Sequence, residues 1–221
     1  MRTLVIFLVA AVGSTGAQAQ PIQAGSEQYK RAMSVAIGTM KTQSEKPIAA
    51  DYVAVANQFE RIAGAEPKQW LPHYYAGLEY VYAGFTGKDE ADKDKYLDQA
   101  DAHLKAADAL SADNDELAVL RAYIAQARMV VDPMNRWQQY GPLFRAGLER
   151  AKAINPDNPR IYVLEGSSLM YTPEQFGGGP GTACPVLKQA AEKFATFKPV
   201  SDLYPTWGQK NVEGLLIKCA K

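Results

Sequence analysis

The side chains best suited to catalysis or metal binding are few and do not form a recognisable site. His73 and His103 are the only histidines, and neither lies in a His-Glu-x-x-His motif or beside a cysteine cluster. Ser167 and Ser168 lack the Gly-x-Ser-x-Gly turn that presents a nucleophilic serine. A catalytic histidine is the alternative, but the spacing favours structural roles for both. We therefore expect no enzyme activity.

Two other segments resemble ligand loops only in part. Residues 87–94 read Gly-Lys-Asp-Glu-Ala-Asp-Lys-Asp, yet the Gly and distal Glu of a calcium loop are absent and lysines interleave. The glycines at 177–181 are not followed by Lys-Ser/Thr, and they come after a predicted helix rather than a strand, unlike a phosphate loop. We expect the acidic segment to be a solvated loop, and we expect no metal and no cofactor.

Aromatic side chains give the strongest signal for binding. Five of them lie in similarly placed segments between predicted helices, and aromatic residues are enriched at the energetic centres of interfaces. They are Phe85, Trp137, Tyr140, Tyr171 and Phe176. The alternative is that each one only closes the end of a helix pair. Their recurrence in comparable places favours a shared role in binding.

Residues 1–19 have the pattern of a secretory signal peptide. Arg2 supplies a positive charge, residues 4–12 form an apolar run, and Ala17-Gln18-Ala19 fits a small-x-small cleavage site. The alternative, a membrane anchor, requires a longer run to cross about 30 Å of hydrocarbon. We therefore predict an exported protein, periplasmic or secreted, whose single domain spans residues 20–221.

The charge balance narrows the classes of partner. The chain has 24 basic and 24 acidic residues, so the formal net charge is zero, and loss of Arg2 with a signal peptide changes it to about −1. Such a balance argues against nucleic acid and against an anionic membrane surface as the main partner. No later apolar stretch approaches membrane-spanning length, so we expect no membrane span in the mature chain.

Hydrophobic spacing indicates an all-α protein. Apolar residues recur at helical intervals almost everywhere, and sustained alternation of the β type is missing. Tyr29, Met33 and Ile37, for example, make one helical stripe. The predicted helices span 25–42, 48–64, 70–84, 95–111, 115–130, 142–154, 159–171, 183–197 and 205–219.

A repeat underlies these helices. Four segments share one spacing of small, apolar and Ala-like residues that ends in a break. The breaks fall at Pro67, Ala112, Pro156 and Pro199, which are 45, 44 and 43 residues apart. A small residue follows ten positions after each of the first three, at Gly77, Ala122 and Gly166. The spacing predicts stacked helix–turn–helix units.

The repeat resembles the tetratricopeptide-repeat family. On the first helix, Gly77 and Tyr80 match the family pattern, and the closest local match is Ala-Ile-Asn-Pro-Asp-Asn-Pro at 153–159, where Asn158 can cap the next helix. Second-helix positions match at Phe59, Pro67, Ala100, Ala107, Ala151 and Pro156. The resemblance implies a solenoid of about four repeats plus a C-terminal capping helix, whose concave surface binds peptides.

The repeats are longer than those of the family, which have 34 residues. The ten or so extra residues always fall between the two helices of a repeat, so we expect them on one edge of the stack. Repeated insertions on one face often mark a binding surface. The resemblance also implies an inner face that includes Tyr74, Leu78, Val163 and Ser167. The candidate binding residues are therefore Tyr82, Phe85, Tyr123, Trp137, Tyr140, Tyr171, Glu174 and Phe176.

These observations lead to two functions of different classes. The first is a non-catalytic adaptor that engages a protein or peptide partner in the cell envelope. The alternative is a solute-binding protein of a transport system, with the aromatic residues forming a pocket for a small molecule. A hydrolase using Ser167 and Glu174 is the least favoured interpretation, and fold alone does not decide among them.

Two long-range contacts also follow from the repeat register. Arg121 and Glu165 occupy a normally apolar position in adjacent repeats, which predicts an ion pair between them. Cys184 begins one helix and Cys219 ends the next, and an exported chain meets an oxidising compartment. We therefore predict a Cys184–Cys219 disulfide, with two buried thiols as the alternative.

Overall fold

The computed structural model describes residues 25–219, and this part of the chain is all-α, with no strand. The predicted fold class is confirmed. The predicted signal peptide at 1–19 and the start of the domain at residue 20 lie outside the described residues.

The helices follow one another with short connections. Their bounds are α1 Glu27–Lys41, α2 Ala49–Ala65, α3 Trp70–Thr86, α4 Glu90–Leu110, α5 Asp115–Val131, α6 Pro133–Ile154, α7 Pro159–Tyr171, α8 Pro180–Thr196 and α9 Gln209–Cys219. A single 3-10 turn, Glu174–Phe176, separates α7 from α8. Successive helices pack in pairs (α1 with α2, α3 with α4, α5 with α6, α7 with α8), and α9 packs on α8.

Side-chain caps explain where several helices begin. The Asn114 side chain accepts hydrogen bonds from two backbone N–H groups at the start of α5, and Asn158 accepts one from Arg160 N at the start of α7. These bonds satisfy N–H groups that have no partner inside the helix. Pro159 occupies the first helical position, where a missing N–H costs nothing. The predicted cap at Asn158 is therefore confirmed.

The extra residues between paired helices are helical more often than predicted. Helix α4 begins at Glu90, so the prediction of a loop at 87–94 is wrong over most of its length. Helix α6 likewise begins early, at Pro133. Asp89 caps α4 through Asp92 N, at 2.9 Å. Asp94 binds the Arg136 guanidinium through two bonds of 2.6 and 2.8 Å, which ties the added turn of α4 to that of α6.

The first helices of successive pairs stack against one another. Helix α5 contacts both α3 and α7, as expected for a solenoid. Small residues allow helices to approach closely at predicted positions: a Cβ atom on Gly77 would lie 3.1 Å from Leu120, and one on Gly166 would lie 2.7 Å from Leu187. The repeat pattern therefore marks contacts between helices.

The segment 197–208, between α8 and α9, crosses the first helices. Tyr75 donates a hydrogen bond to the Leu203 carbonyl at 2.9 Å, and Trp207 Nε1 donates to Tyr74 Oη at 2.7 Å. Tyr74 and Leu78 are fully buried, although the resemblance implied that they line an open inner face. The chain itself occupies part of that face, and α9 begins at 209 rather than at the predicted 205.

A buried ion pair joins the first helices to one another. Arg160 Nε on α7 lies 3.0 and 2.9 Å from the two carboxylate oxygens of Glu116 on α5, and neither side chain is exposed. Asn158 Nδ2 donates to Glu116 at 2.7 Å, and Tyr74 Oη donates to it at 3.2 Å from α3. The Arg160 guanidinium also lies 4.6 Å from the centre of the Phe197 ring. The pair therefore connects α3, α5, α7 and the segment 197–208.

The predicted ion pair between Arg121 and Glu165 is wrong. Arg121 binds Asp108, and Glu165 accepts a hydrogen bond from Lys152 at 2.8 Å. In both cases the partner lies 13 residues earlier, on the preceding second helix. This repeat position therefore faces the neighbouring second helix rather than the next first helix.

The predicted disulfide is confirmed. Cys184 in α8 is bonded to Cys219 at the end of α9, with the two Cα atoms 5.8 Å apart. The bond closes a loop across 35 residues and holds the last helix against α8.

Removal of one member of the buried ion pair should strongly destabilise the fold. Arg160→Met leaves the Glu116 carboxylate buried without its cation, and such a loss costs about 3–5 kcal/mol of unfolding free energy. Arg121→Met is the matched control, because its pair with Asp108 is exposed and pairs of that kind contribute about 0–1 kcal/mol. Urea unfolding of both variants measures the difference. Equal losses would show that the buried pair is not a special constraint.

Candidate functional site

A groove of about 310 Å³ opens between α5, α7 and α9. Its volume is at the lower end of the range of about 300–1,000 Å³ typical of small-molecule sites. It is lined by Tyr123, Gln126, Val163, Leu164, Ser167, Tyr171, Trp207, Lys210, Asn211, Gly214, Leu215 and Lys218. We call it the α9 groove.

Aromatic rings form one wall of the α9 groove. The rings of Tyr123 and Trp207 stack with their centres 5.4 Å apart and their planes 17° apart. Tyr82 packs edge-on against Tyr123 at 6.0 Å, and Phe85 lies 5.5 Å from the same ring. Such contacts fix the orientation of the rings. The wall is therefore a preformed apolar surface.

The phenols of Tyr82 and Tyr123 stay neutral at physiological pH. Burial raises the pKa of Tyr82 well above its usual value, and burial likewise raises the pKa of Tyr123. The neighbouring Tyr82 side chain offsets part of this rise in the pKa of Tyr123. Neither phenol is thus a ready source of negative charge in the groove.

Two lysines supply positive charge at the rim. Lys210 and Lys218 are eight positions apart on α9, which places them on one side of the helix about 12 Å apart along its axis. Lys218 Nζ donates to Tyr171 Oη at 2.9 Å and lies 4.5 Å from the centre of that ring. Among residues 25–219, no Asp or Glu belongs to the lining. The groove therefore combines aromatic and aliphatic walls with a basic rim.

The start of α9 depends on close approach of its backbone to α7. Gly208 has a φ of +108°, and a Cβ atom there would lie 3.2 Å from Val163 and 3.1 Å from Phe194. Glycine adopts this conformation without strain and leaves room for both neighbours. Trp207 is thereby turned towards Tyr123 and Tyr74.

Half of the candidate residues predicted from sequence meet at this groove. Tyr123 and Tyr171 line it, and Tyr82 and Phe85 support Tyr123 from behind. Val163 and Ser167, expected on the inner face, also line it.

The other half lie outside the groove lining. Trp137 is 56% exposed on α6 and Phe176 is 75% exposed on the 3-10 turn. Tyr140 is half-buried on α6, and Glu174 is exposed. The groove forms along the first helices and α9, whereas these four residues follow the inserted segments.

Sequence reasoning missed the groove residues contributed by the end of the chain. Trp207, Lys210 and Lys218 lie beyond the recognisable repeats, so repeat register assigns them no face. A tryptophan in the irregular stretch Tyr204-Pro-Thr-Trp-Gly was the one available signal, because Trp is enriched at binding sites.

The two histidines contact each other away from the groove. Their Nδ1 atoms are 3.1 Å apart between α3 and α4, and His103 Nε2 lies 3.0 Å from the Glu60 carboxylate. Burial and the neighbouring His103 lower the pKa of His73. Within residues 25–219, no three His, Cys, Asp or Glu side chains converge to hold a metal ion. The contacts fit the structural role predicted for both histidines.

The glycine-rich segment shapes a turn and does not line the groove. Gly177 and Gly179 have φ values of +82° and +86°, which favour glycine. Gly179 N donates to the Leu169 carbonyl at 2.9 Å, so the turn closes back on α7 before α8 begins.

Glu79 is a buried carboxyl close to the aromatic wall. It is fully buried on α3 and accepts a hydrogen bond from Gln43 Nε2 at 3.0 Å. Burial raises its pKa from 4.5 to about 8, with the Gln43 bond opposing the shift. Its other oxygen, Oε1, has no hydrogen-bond partner in the part of the chain that the structure describes.

Glu79 should make stability fall as pH rises. Because its folded pKa is raised, its contribution is complete below pH 4.5, the ordinary pKa, and is lost as pH increases through about 8. At pH 8, Glu79→Gln should therefore unfold at a higher urea concentration than the wild type, because its unfolding free energy is greater by about a few kcal/mol. This gain should vanish at pH 4.5. Glu149→Gln, at an exposed site, is the control. A gain for Glu79→Gln that is independent of pH would contradict this assignment.

Comparisons with known proteins include an informative relative among the solved structures. No known family profile matches the chain, and no curated protein matches its sequence significantly. A solved structure, the HusA haemophore from Porphyromonas gingivalis, is 32% identical, with a TM-score of 0.76. The match covers 86% of this chain and 92% of the haemophore chain. It supports the repeat-like helical architecture and a binding role, although no match to the tetratricopeptide-repeat family accompanies it.

Among residues 25–219, none of the helices has the length and apolarity to cross a bilayer.

Proposed function

We propose that this chain, which belongs to the same family as the HusA haemophore, is an exported, non-catalytic protein that binds a tetrapyrrole such as haem in the α9 groove. The name of the relative states its cargo class, and the residues of the groove support the same class here.

The observation that carries the proposal is the composition of the groove lining. A tetrapyrrole such as haem is flat and largely apolar, and it carries two carboxylates at one edge. The wall of Tyr123 and Trp207 offers a ring surface to such a molecule, while Lys210 and Lys218 offer cations at the rim. No Asp or Glu of the described chain, residues 25–219, lines the groove to repel these acidic groups.

The path of segment 197–208 favours a small molecule over a long peptide. A peptide on the inner face would need the surface around Tyr74 and Tyr75, which already bind Trp207 and Leu203. The compact α9 groove, in contrast, stays open beside this segment. The solute-binding alternative from the sequence is therefore the function that we propose.

Export and the absence of catalysis are parts of the same proposal. The Cys184–Cys219 bridge suits an oxidising compartment outside the cytoplasm. Ser167 lines the groove, but both histidines contact each other elsewhere, so within residues 25–219 no histidine is placed to activate this serine. These features support a carrier rather than a hydrolase.

Filling the groove should abolish haem binding without disturbing the fold. Gly214 lies in the lining on α9, and a Cβ atom there would have nothing within 4 Å, so Gly214→Trp places an indole in the open groove. We expect haemin affinity, measured by the change in Soret absorbance, to fall at least about tenfold, which is 1.4 kcal/mol. Gly64→Trp is the matched control, because Gly64 is an exposed helical glycine with the same free space on α2.

The groove test also separates the two candidate functions. If wild-type protein fails to bind haemin, or Gly214→Trp binds it normally, the proposal is wrong. An adaptor that uses the edge aromatics would instead lose a protein partner on Trp137→Ala or Phe176→Ala, while those variants should leave haemin affinity unchanged. Thermal melting of every variant checks that the fold is intact.

Charge reversal at the rim should weaken binding of the acidic ligand. Lys210 has no ion-pair partner within residues 25–219, so its ammonium is available to a ligand carboxylate. Lys210→Glu should raise the dissociation constant for haemin about tenfold at low salt and less at high salt, because salt screens an exposed charge. Lys188→Glu, on the exposed side of α8, should change the constant little. Equal effects of the two variants would show that only the net charge of the protein matters, and not the position of Lys210 at the rim.

A further inference from the structure

The two histidines of the chain form a pair that the α9 groove does not use. His73 on α3 and His103 on α4 face each other, with their Nδ1 atoms 3.1 Å apart. The sequence contains no other histidine. Both residues are partly exposed, and the His103 side chain keeps 14% of its surface accessible. We call these two residues the histidine pair, and solvent can reach it.

The bond to Glu60 decides which nitrogen of His103 carries the proton. An ionised carboxylate only accepts hydrogen bonds, and Glu60 Oε1 lies 3.0 Å from His103 Nε2. Nε2 is therefore the donor, and in the neutral ring Nδ1 keeps a free lone pair on the side of His73. Metal-binding histidines in proteins share this arrangement, in which the far ring nitrogen donates to a carboxylate.

Contacts with α2 and α3 hold the His103 ring in this orientation. The Tyr80 ring stacks on it, with the ring centres 5.6 Å apart and the planes 14° apart. Tyr80 Oη also donates to Glu60 Oε1 at 2.8 Å, which fixes the carboxylate. Gly77 lets α4 approach, because a Cβ atom there would lie 3.6 Å from His103 Cβ. One nitrogen ligand is therefore already positioned before any metal arrives.

The spacing of the two Nδ1 atoms suits a shared metal ion. In the protein alone, the His73 Nδ1 proton lies between them and makes the hydrogen bond. Zinc binds imidazole nitrogen at about 2.0–2.1 Å, so two nitrogens 3.1 Å apart would subtend about 100° at the ion. That angle lies between the right angle of tetragonal sites and the tetrahedral angle of zinc sites.

We propose that the histidine pair binds a divalent transition metal ion such as Zn²⁺ through His73 Nδ1 and His103 Nδ1, with Glu60 orienting His103. Haem plays no part in this site, because neither histidine lines the α9 groove. On binding, the metal replaces the proton between the rings. That proton moves through water to Nε2 of His73, so both rings stay neutral. Residues 25–219 supply no third His, Cys, Asp or Glu ligand, so water completes the coordination.

Titration of the untagged mature protein with Zn²⁺ tests the site. Calorimetry at neutral pH should give one Zn²⁺ per chain, and nitrogen NMR should show that Nδ1 of both imidazoles changes on binding. His73→Gln keeps an amide donor for His103 but removes one ligand. It should weaken Zn²⁺ binding at least about tenfold, because two linked ligands hold an ion more tightly than one. His103→Gln should have the same effect. Ca²⁺, which prefers oxygen ligands, should leave both imidazoles unchanged.

Glu60→Gln tests the positioning role of the carboxylate. We expect Zn²⁺ affinity to fall about tenfold, at the lower end of the effect of losing such a partner. The same NMR spectrum should show that the neutral His103 ring no longer keeps its proton on Nε2 alone, a change that a merely structural role would not produce. Glu149→Gln, at an exposed site on α6, is the matched control.

Three outcomes overturn the proposal. The wild type fails to bind Zn²⁺, or it binds the ion while both imidazole spectra stay unchanged, or binding survives both His73→Gln and His103→Gln. In the last two cases carboxylates elsewhere hold the ion. Thermal melting without metal checks the fold of each variant, and the NMR test on the wild type needs no variant. Haemin titrations are separate, so failure of the haem site leaves this result unaffected.

Discussion

The architecture depends on one buried ion pair, between Glu116 and Arg160. Two charges that are fully removed from water are costly unless their bonds are satisfied, and here Asn158 and Tyr74 supply further bonds to the carboxylate. These partners come from α3, α5 and α7, so the network sets the spacing of the stacked first helices. Because Arg160 also contacts Phe197, the same network fixes where the chain crosses after α8.

That crossing turns an open solenoid into a protein with a defined groove. The segment 197–208 fills the inner face near Tyr75, to which Leu203 is bonded, and it ends with Trp207 stacked on Tyr123. Helix α9 then closes the far side of the groove and is held there by the disulfide from Cys219. A solenoid leaves its inner face for a partner, whereas this chain covers part of that face itself and keeps a small site open.

The side chains of the groove say more about the ligand than the helical architecture does. Stacked helix pairs support many activities, so the architecture shared with the HusA haemophore does not by itself define a ligand here. The side chains of the groove put aromatic rings beside Lys210 and Lys218, a combination that suits the flat, acidic tetrapyrrole that we propose.

The sequence by itself determined the helices, the repeat and the disulfide, because each of these depends on local or periodic signals. Helical spacing defined the elements, Asn158 marked a helix start, and the register of the helix pairs brought Cys184 to Cys219. Only the tertiary structure decided that Glu116 pairs with Arg160, that 133–141 is helical, and that Trp207 reaches Tyr123. The physical reason is that the path of segment 197–208 has no periodicity of its own. It is set by buried contacts with residues that lie up to 133 positions away in the chain.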